Sequence, residues 1–187
     1  MAFVYTVPDV ESKILAMSFV MCAFVFNIFS IASPWWVEVN YECYRKFGVY
    51  RGTVSLGIFS NHSSFIVAAT LMCISSGLFL GIHIIFCFVL SKIRQGIYTR
   101  HFLYPILASL WAITALTFTA VFTIPDTIVY YGCQGSVKAN GSAWVGLTSG
   151  ILAFLTSLSF ADTAVRLEME SRRQRKGNQR ETGSGLP

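Results

Sequence analysis

Residues 64–90 read SFIVAATLMCISSGLFLGIHIIFCFVL, a run without a single Asp, Glu, Lys or Arg. A helix rises about 1.5 Å per residue, so about 20 apolar residues cross the roughly 30 Å hydrocarbon core of a bilayer, where a helix satisfies its own backbone hydrogen bonds. Three further stretches have the same character: Ile14 to Ser33, Phe102 to Ile124 and Ala143 to Val165. Four passes put both termini on one side of the membrane. Function is then left to two loops on one face, a short loop and a tail on the other, or the bundle between them.

Lys and Arg near the helix ends set the orientation, because cytoplasmic flanks carry the excess. Lys13, Lys92, Arg94, Arg100, Arg166, Arg172, Arg173, Arg175, Lys176 and Arg180 fall on one side, against Arg45, Lys46, Arg51 and Lys138 on the other. Ten against four predicts cytoplasmic termini, with loops 34–63 and 125–142 facing outward. Residues 1–170 form one bundle domain in this reading. Residues 171–187, rich in Arg, Gln, Glu, Gly and Ser, are expected to be a disordered basic cytoplasmic tail. The first stretch exceeds the 7–15 apolar residues of a signal peptide and is expected to stay as a helix.

Hydrophobic residues make up 54% of the chain and charged ones 12%, which excludes an ordinary soluble domain. The net charge of +5 sits mainly in the tail, beside lipid headgroups, so the partner it implies is the bilayer and not a nucleic acid. Tyr98 and Tyr104 at the inner face and Trp144 at the outer face suit the interfacial aromatic belt. Trp111, deeper in the third stretch, is expected to pack inside the bundle.

Loop one carries a period of two: Trp35, Val37, Val39 and Tyr41 alternate with Trp36, Glu38, Asn40 and Glu42. Thr53 to Phe59 and Thr127 to Tyr131 are further β-branched and aromatic runs. A small extracellular sheet drawing strands from both loops is the expectation, against an irregular collapsed loop. Of five cysteines, Cys22, Cys73 and Cys87 lie within the apolar stretches as small packers, leaving Cys43 and Cys133 in the two outer loops. In an oxidising compartment these two either form a bridge, worth about 4 kcal/mol before strain, or remain free or intermolecular thiols.

Gly77 with Gly81 and Gly146 with Gly150 are GxxxG pairs that bring helix backbones close, either within the bundle or between copies. Asp162 is expected near the inner interface, within reach of Arg166 four residues on. His83 is the candidate for intramembrane proton chemistry, against a neutral imidazole bonded to a helix neighbour. The chain has no CxxC, no second His near His83, no carboxylate pair and no Gly-rich phosphate loop beside a strand. No enzymatic activity, cofactor or metal is therefore expected. Asn61-His62-Ser63 and Asn140-Gly141-Ser142 are sequons on the outward side and possible glycosylation sites.

The four-pass topology with a long first outer loop, the Trp that opens that loop, and the start of the fourth stretch carry a resemblance. Gly141-Ser142-Ala143-Trp144-Val145-Gly146-Leu147-Thr148-Ser149-Gly150-Ile151-Leu152 looks like the claudin run of Gly, small residues, an aromatic, Gly and a small-Gly-aliphatic turn. The chain thus resembles the claudin superfamily of tetraspan proteins, which includes the peripheral myelin, epithelial membrane and channel-regulatory γ-subunit branches. Trp36 and Gly57-Ile58-Phe59 match the loop-one signature in part, but the two cysteines that follow in claudins are missing after Phe59. On this resemblance, Cys43 with Cys133 would substitute for the family's loop-one disulfide. The terminal Ser184-Gly185-Leu186-Pro187 lacks the free aliphatic end of scaffold-binding claudin tails.

The fold class expected is an all-α membrane protein, a four-helix transmembrane bundle topped by a small β-sheet. The function expected is non-enzymatic organisation of cell-cell contacts or lateral membrane assemblies at the plasma membrane and its junctions. Trp35, Trp36, Tyr41, Phe47 and Phe59 are the candidates for structuring or presenting that surface, with membrane-interface anchoring as the alternative for the two tryptophans. Partners are the bilayer and other membrane proteins, either a second copy or a channel or receptor to which this chain is an auxiliary subunit. A transporter or intramembrane enzyme centred on His83 is the third reading.

Overall fold

The computed structural model describes residues 7–41, 46–51, 63–94, 102–124, 127–130 and 133–183. The elements run α1 (Val7–Ala32), β1 (Val37–Tyr41), β2 (Lys46–Arg51), α2 (Ser63–Arg94), α3 (Leu103–Phe122), β3 (Thr127–Tyr130), β4 (Cys133–Ala139) and α4 (Gly141–Gly183). Four windows are long and apolar enough to cross a membrane: Leu15–Ala32, Ser63–Phe88, Leu103–Phe122 and Gly141–Arg166. Each agrees with the expected span to within a residue or two. Pro105 falls in the first turn of α3, where a missing N–H costs no hydrogen bond.

The helices pack in a ring, α1 on α4, α4 on α3, α3 on α2, and α2 back on α1. Val20, Ala23, Phe79, Ile82, Leu110, Ile113, Ala153 and Phe160 fill its centre. Lipid is as apolar as these side chains, so close packing and buried hydrogen bonds have to supply the cohesion. Asn27, fully buried in α1, donates from Nδ2 to Ser75 Oγ at 2.9 Å and accepts at Oδ1 from Ser76 Oγ at 2.5 Å. Ser149 Oγ of α4 donates to the Ala23 carbonyl of α1 at 2.7 Å, and Thr114 Oγ1 of α3 reaches the Gly150 carbonyl of α4 at 3.3 Å. Each helix is thereby tied to a neighbour by a bond that lipid cannot replace.

The sheet has the order β2-β1-β4-β3, and every pairing in it is antiparallel. Its two central strands come from different loops, in a register running from Val37↔Ala139 to Tyr41↔Gly135. Val37, Val39 and Val137 point down onto Phe65 at the head of α2 and onto Ile124 after α3. The alternation in loop one therefore does encode a half-buried strand.

Several expectations need correction. The second strand of loop one is Lys46–Arg51, while Thr53 to Phe59 lies outside the described residues. Residues 171–183 continue α4 as helix where disorder was expected. Polarity removes the means to bury this segment, but Arg, Gln, Glu and Lys are good helix formers. At 43 residues α4 is about 64 Å long and projects well past the bilayer. Trp111 is 52% exposed on the lipid-facing side of α3, its ring edge-on to Phe154 at 5.7 Å, and is not inside the bundle. Asp162 and Arg166 pair as the spacing predicts, at 2.8 Å and well exposed.

Candidate functional site

The chain leaves α1 at Ala32 and enters β1 at Val37, and the residues between them fix the sheet to the bundle. Trp36 is fully buried among Ala68, Met72, Ala120, Val121 and Ala143. A buried indole needs a hydrogen-bond partner. Its Nε1–H donates to Ser30 Oγ at 2.8 Å, and the Ser30 hydroxyl donates in turn to the Ser142 carbonyl at 2.7 Å. Ser142 Oγ donates to Ser33 Oγ at 2.6 Å, so both ends of the crossing are closed by small hydroxyls. The backbone repeats the connection: Asn140 N–H donates to the Trp36 carbonyl at 2.9 Å and Ser142 N–H to the Trp35 carbonyl at 3.3 Å. The first amides of a helix lack internal partners, and here loop one supplies one of them.

Gly146, one turn into α4, makes this closeness possible. A Cβ built on it would stand 2.7 Å from Ser30 Oγ and 3.1 Å from Met72 Cε. Gly150 is likewise filled against Thr117 and Phe118 of α3. Gly77 and Gly81 meet nothing within 4 Å. The two GxxxG pairs thus differ: the one on α4 packs the bundle, and the one on α2 is open on the outside.

The sheet face turned away from the bundle is polar. Lys138 and Ser136 on β4 lie opposite Glu38 and Asn40 on β1, with Gln134 beyond, and Lys138, Ser136 and Gln134 are exposed. Strands β2 and β3 form its edges among the described residues.

The aromatic candidates separate. Trp35 is 59% exposed at the membrane boundary, whereas Trp36 is 0% exposed, so the pair does not form one surface. Alternation alone groups Trp35 with Val37 and Val39; the strand begins only at Val37, and the bend before it exchanges the two rings. Tyr41 closes β1 between Lys46 and Gly135, and Phe47 lies in β2. Phe59, Asn61 and Cys43 lie outside the described residues. Cys133 opens β4 opposite Tyr130, and Cys22, Cys73 and Cys87 are exposed free thiols on the lipid-facing surface. Asn140 heads α4 with its Oδ1 accepting the Gly141 N–H at 2.6 Å.

His83 Nδ1 lies 2.7 Å from the Phe79 carbonyl, which can only accept, so Nδ1 donates. Nε2 is buried and has no hydrogen-bond partner among the described residues, with the Phe24 ring 5.6 Å away. Among the described residues no three of His, Cys, Asp and Glu come together as a metal site. Ser30, Ser33 and Ser142 escaped sequence reading, although a hydroxyl at each helix end flanking a tryptophan was a signal that a buried indole would need.

Between the end of α1, Trp35 and the start of α4 lies a cleft of about 520 Å³, lined by Phe29, Trp35, Asn140, Gly141, Ser142 and Val145. It sits at the level where the spans meet the sheet.

No curated protein matches the chain. The family model of claudin-like tight junction proteins matches residues 7–174, from the first residue of α1, across the sheet that the two loops share, to beyond the fourth span, and the chain belongs to that family.

Proposed function

We propose that this protein is a non-enzymatic plasma-membrane organiser that uses its sheet, on the side opposite cytoplasmic termini, to hold a second copy on a neighbouring cell. The observation that carries the reading is the mounting of the sheet. Trp36, Ser30, Ser33 and Ser142 lock it onto α1 and α4, and its far face is polar and has edge strands. A rigid surface loses little entropy on docking, and an edge strand offers unpaired backbone groups to a partner. Cys43 and Cys133, one in each outer loop, form the bridge that clamps the two loops in this reading. Asn61 is the sequon we assign to glycan, because the Ser142 hydroxyl of the other is buried against Ser33.

The test is imaging of a tagged full-length chain in cells without junctions, mixed with unlabelled cells. Enrichment only where two expressing cells meet is the expected result; uniform surface staining refutes it. A second reading, an auxiliary subunit of a channel or receptor, is favoured by the open Gly77 and Gly81 face of α2, where a partner helix would fit closely. Co-purification with a large partner in mild detergent, lost on Gly77→Leu, would support that reading.

A further inference from the structure

The cleft at the base of the sheet is both concave and graded. Asn140 and Gly141 lie at its sheet end, where the fourth span begins. Phe29 lies one turn inward on α1, Val145 one turn inward on α4, and the Trp35 ring stands at the mouth. A ligand that fits is polar at its outer tip and apolar below, the orientation of a membrane amphiphile in that leaflet.

The polar end narrows the class. None of the described lining residues is charged, so among them a phosphate or an ammonium headgroup finds no counter-charge. Asn140 Oδ1 is occupied by the Gly141 N–H, and its amide nitrogen has no hydrogen-bond partner among the described residues. What remains are neutral donors alone, the Asn140 amide and the Trp35 indole N–H, and a hydroxyl accepts from such a donor with no counter-charge. The cleft volume of about 520 Å³ lies within the range of small-molecule sites, roughly 300–1,000 Å³. A rigid fused-ring body enters such a space with little loss of conformational entropy, whereas an acyl chain surrenders several rotors. Flat ring faces also match the indole and phenyl walls. We propose that the cleft binds a sterol of the sheet-side leaflet, its rings against Phe29, Trp35 and Val145 and its hydroxyl accepting from the Asn140 amide.

Gly141 provides the means of testing this. A Cβ there meets nothing within 4 Å, so Gly141→Leu fills the cleft without disturbing protein packing. The full chain, reconstituted in phosphatidylcholine vesicles with a diazirine-bearing sterol, is irradiated, digested and mapped by mass spectrometry. Label is expected on the segments carrying residues 29–35 and 140–145, displaced by unlabelled sterol, and reduced about tenfold by Gly141→Leu. Trp35→Ala, which removes a wall and leaves the helices intact, gives the same loss should Gly141→Leu prove unstable. Trp111→Ala, on the distant face of α3, changes nothing. Label spread evenly over the lipid-facing helices, or unaffected by both cleft variants, overturns the proposal. Displacement by a fluid diacyl lipid as readily as by sterol also overturns it, because the occupant would then be an acyl chain.

Discussion

Replacing Gly146 by Ala adds one methyl at the most crowded point of the molecule. The new Cβ would lie 2.7 Å from Ser30 Oγ and 3.1 Å from Met72 Cε, both well inside ordinary van der Waals contact. Met72 is flexible and yields, but Ser30 cannot. Its oxygen receives the Trp36 Nε1–H at 2.8 Å and its proton is committed to the Ser142 carbonyl at 2.7 Å, so retreat breaks one or both bonds. Overpacking of this kind costs about 1–3 kcal/mol, and Ala regains about 1 kcal/mol over Gly in a helix interior. A net destabilisation of up to about 2 kcal/mol is expected, whereas Gly77→Ala, with open space around it, gains up to about 1 kcal/mol. The assay is equilibrium unfolding of the purified chain in mild detergent by added SDS, read by tryptophan fluorescence. Ser30→Ala supplies the cross-check: it removes the obstructing oxygen, so the Ser30→Ala/Gly146→Ala double variant loses less stability than the sum of its singles. Equal stability of Gly146→Ala and Gly77→Ala, or simple additivity in the double, would refute the reasoning.

Trp36→Phe leaves a gap and deprives Ser30 of its donor, lowering stability by about 2–3 kcal/mol, while Trp35→Phe stays within about 0.5 kcal/mol; the same SDS titration compares them. His83→Phe removes a buried ring nitrogen that has no hydrogen-bond partner among the described residues along with one helix-internal bond, so stability stays within about 1 kcal/mol of the parent and border enrichment is retained; a loss of function at an unchanged surface level would return His83 to the transport reading. Cys43→Ser, Cys133→Ser and their double are expected to lower stability by the same amount, up to about 4 kcal/mol, because either change opens the one loop closure. Additive losses, or thiol labelling of both residues in the non-reduced parent, would exclude the bridge.

The four spans were legible in the sequence because hydrocarbon imposes a condition that composition alone can meet: at least about 18 residues without charge, helical because no other backbone is satisfied there. The β1 strand was legible for a similar reason, since Val37 and Val39 alternate with polar residues over one buried face. The Asp162–Arg166 pair followed from helical spacing alone. Strand β4 was not legible: Cys133-Gln134-Gly135-Ser136-Val137-Lys138-Ala139 has little strand propensity of its own and becomes a strand because β1 and β3 complete its hydrogen bonds. Two adjacent tryptophans look alike in sequence, and only the bend before Val37 sends Trp36 to Ser30 and Trp35 to the lipid. Two GxxxG pairs also look alike. Gly146 and Gly150 face α1, α2 and α3 atoms while Gly77 and Gly81 face none, because which side of a helix meets a neighbour depends on how all four pack. In a bilayer both sides of a helix are surrounded by apolar matter, so hydrophobicity, which separates inside from outside in water, cannot make that choice.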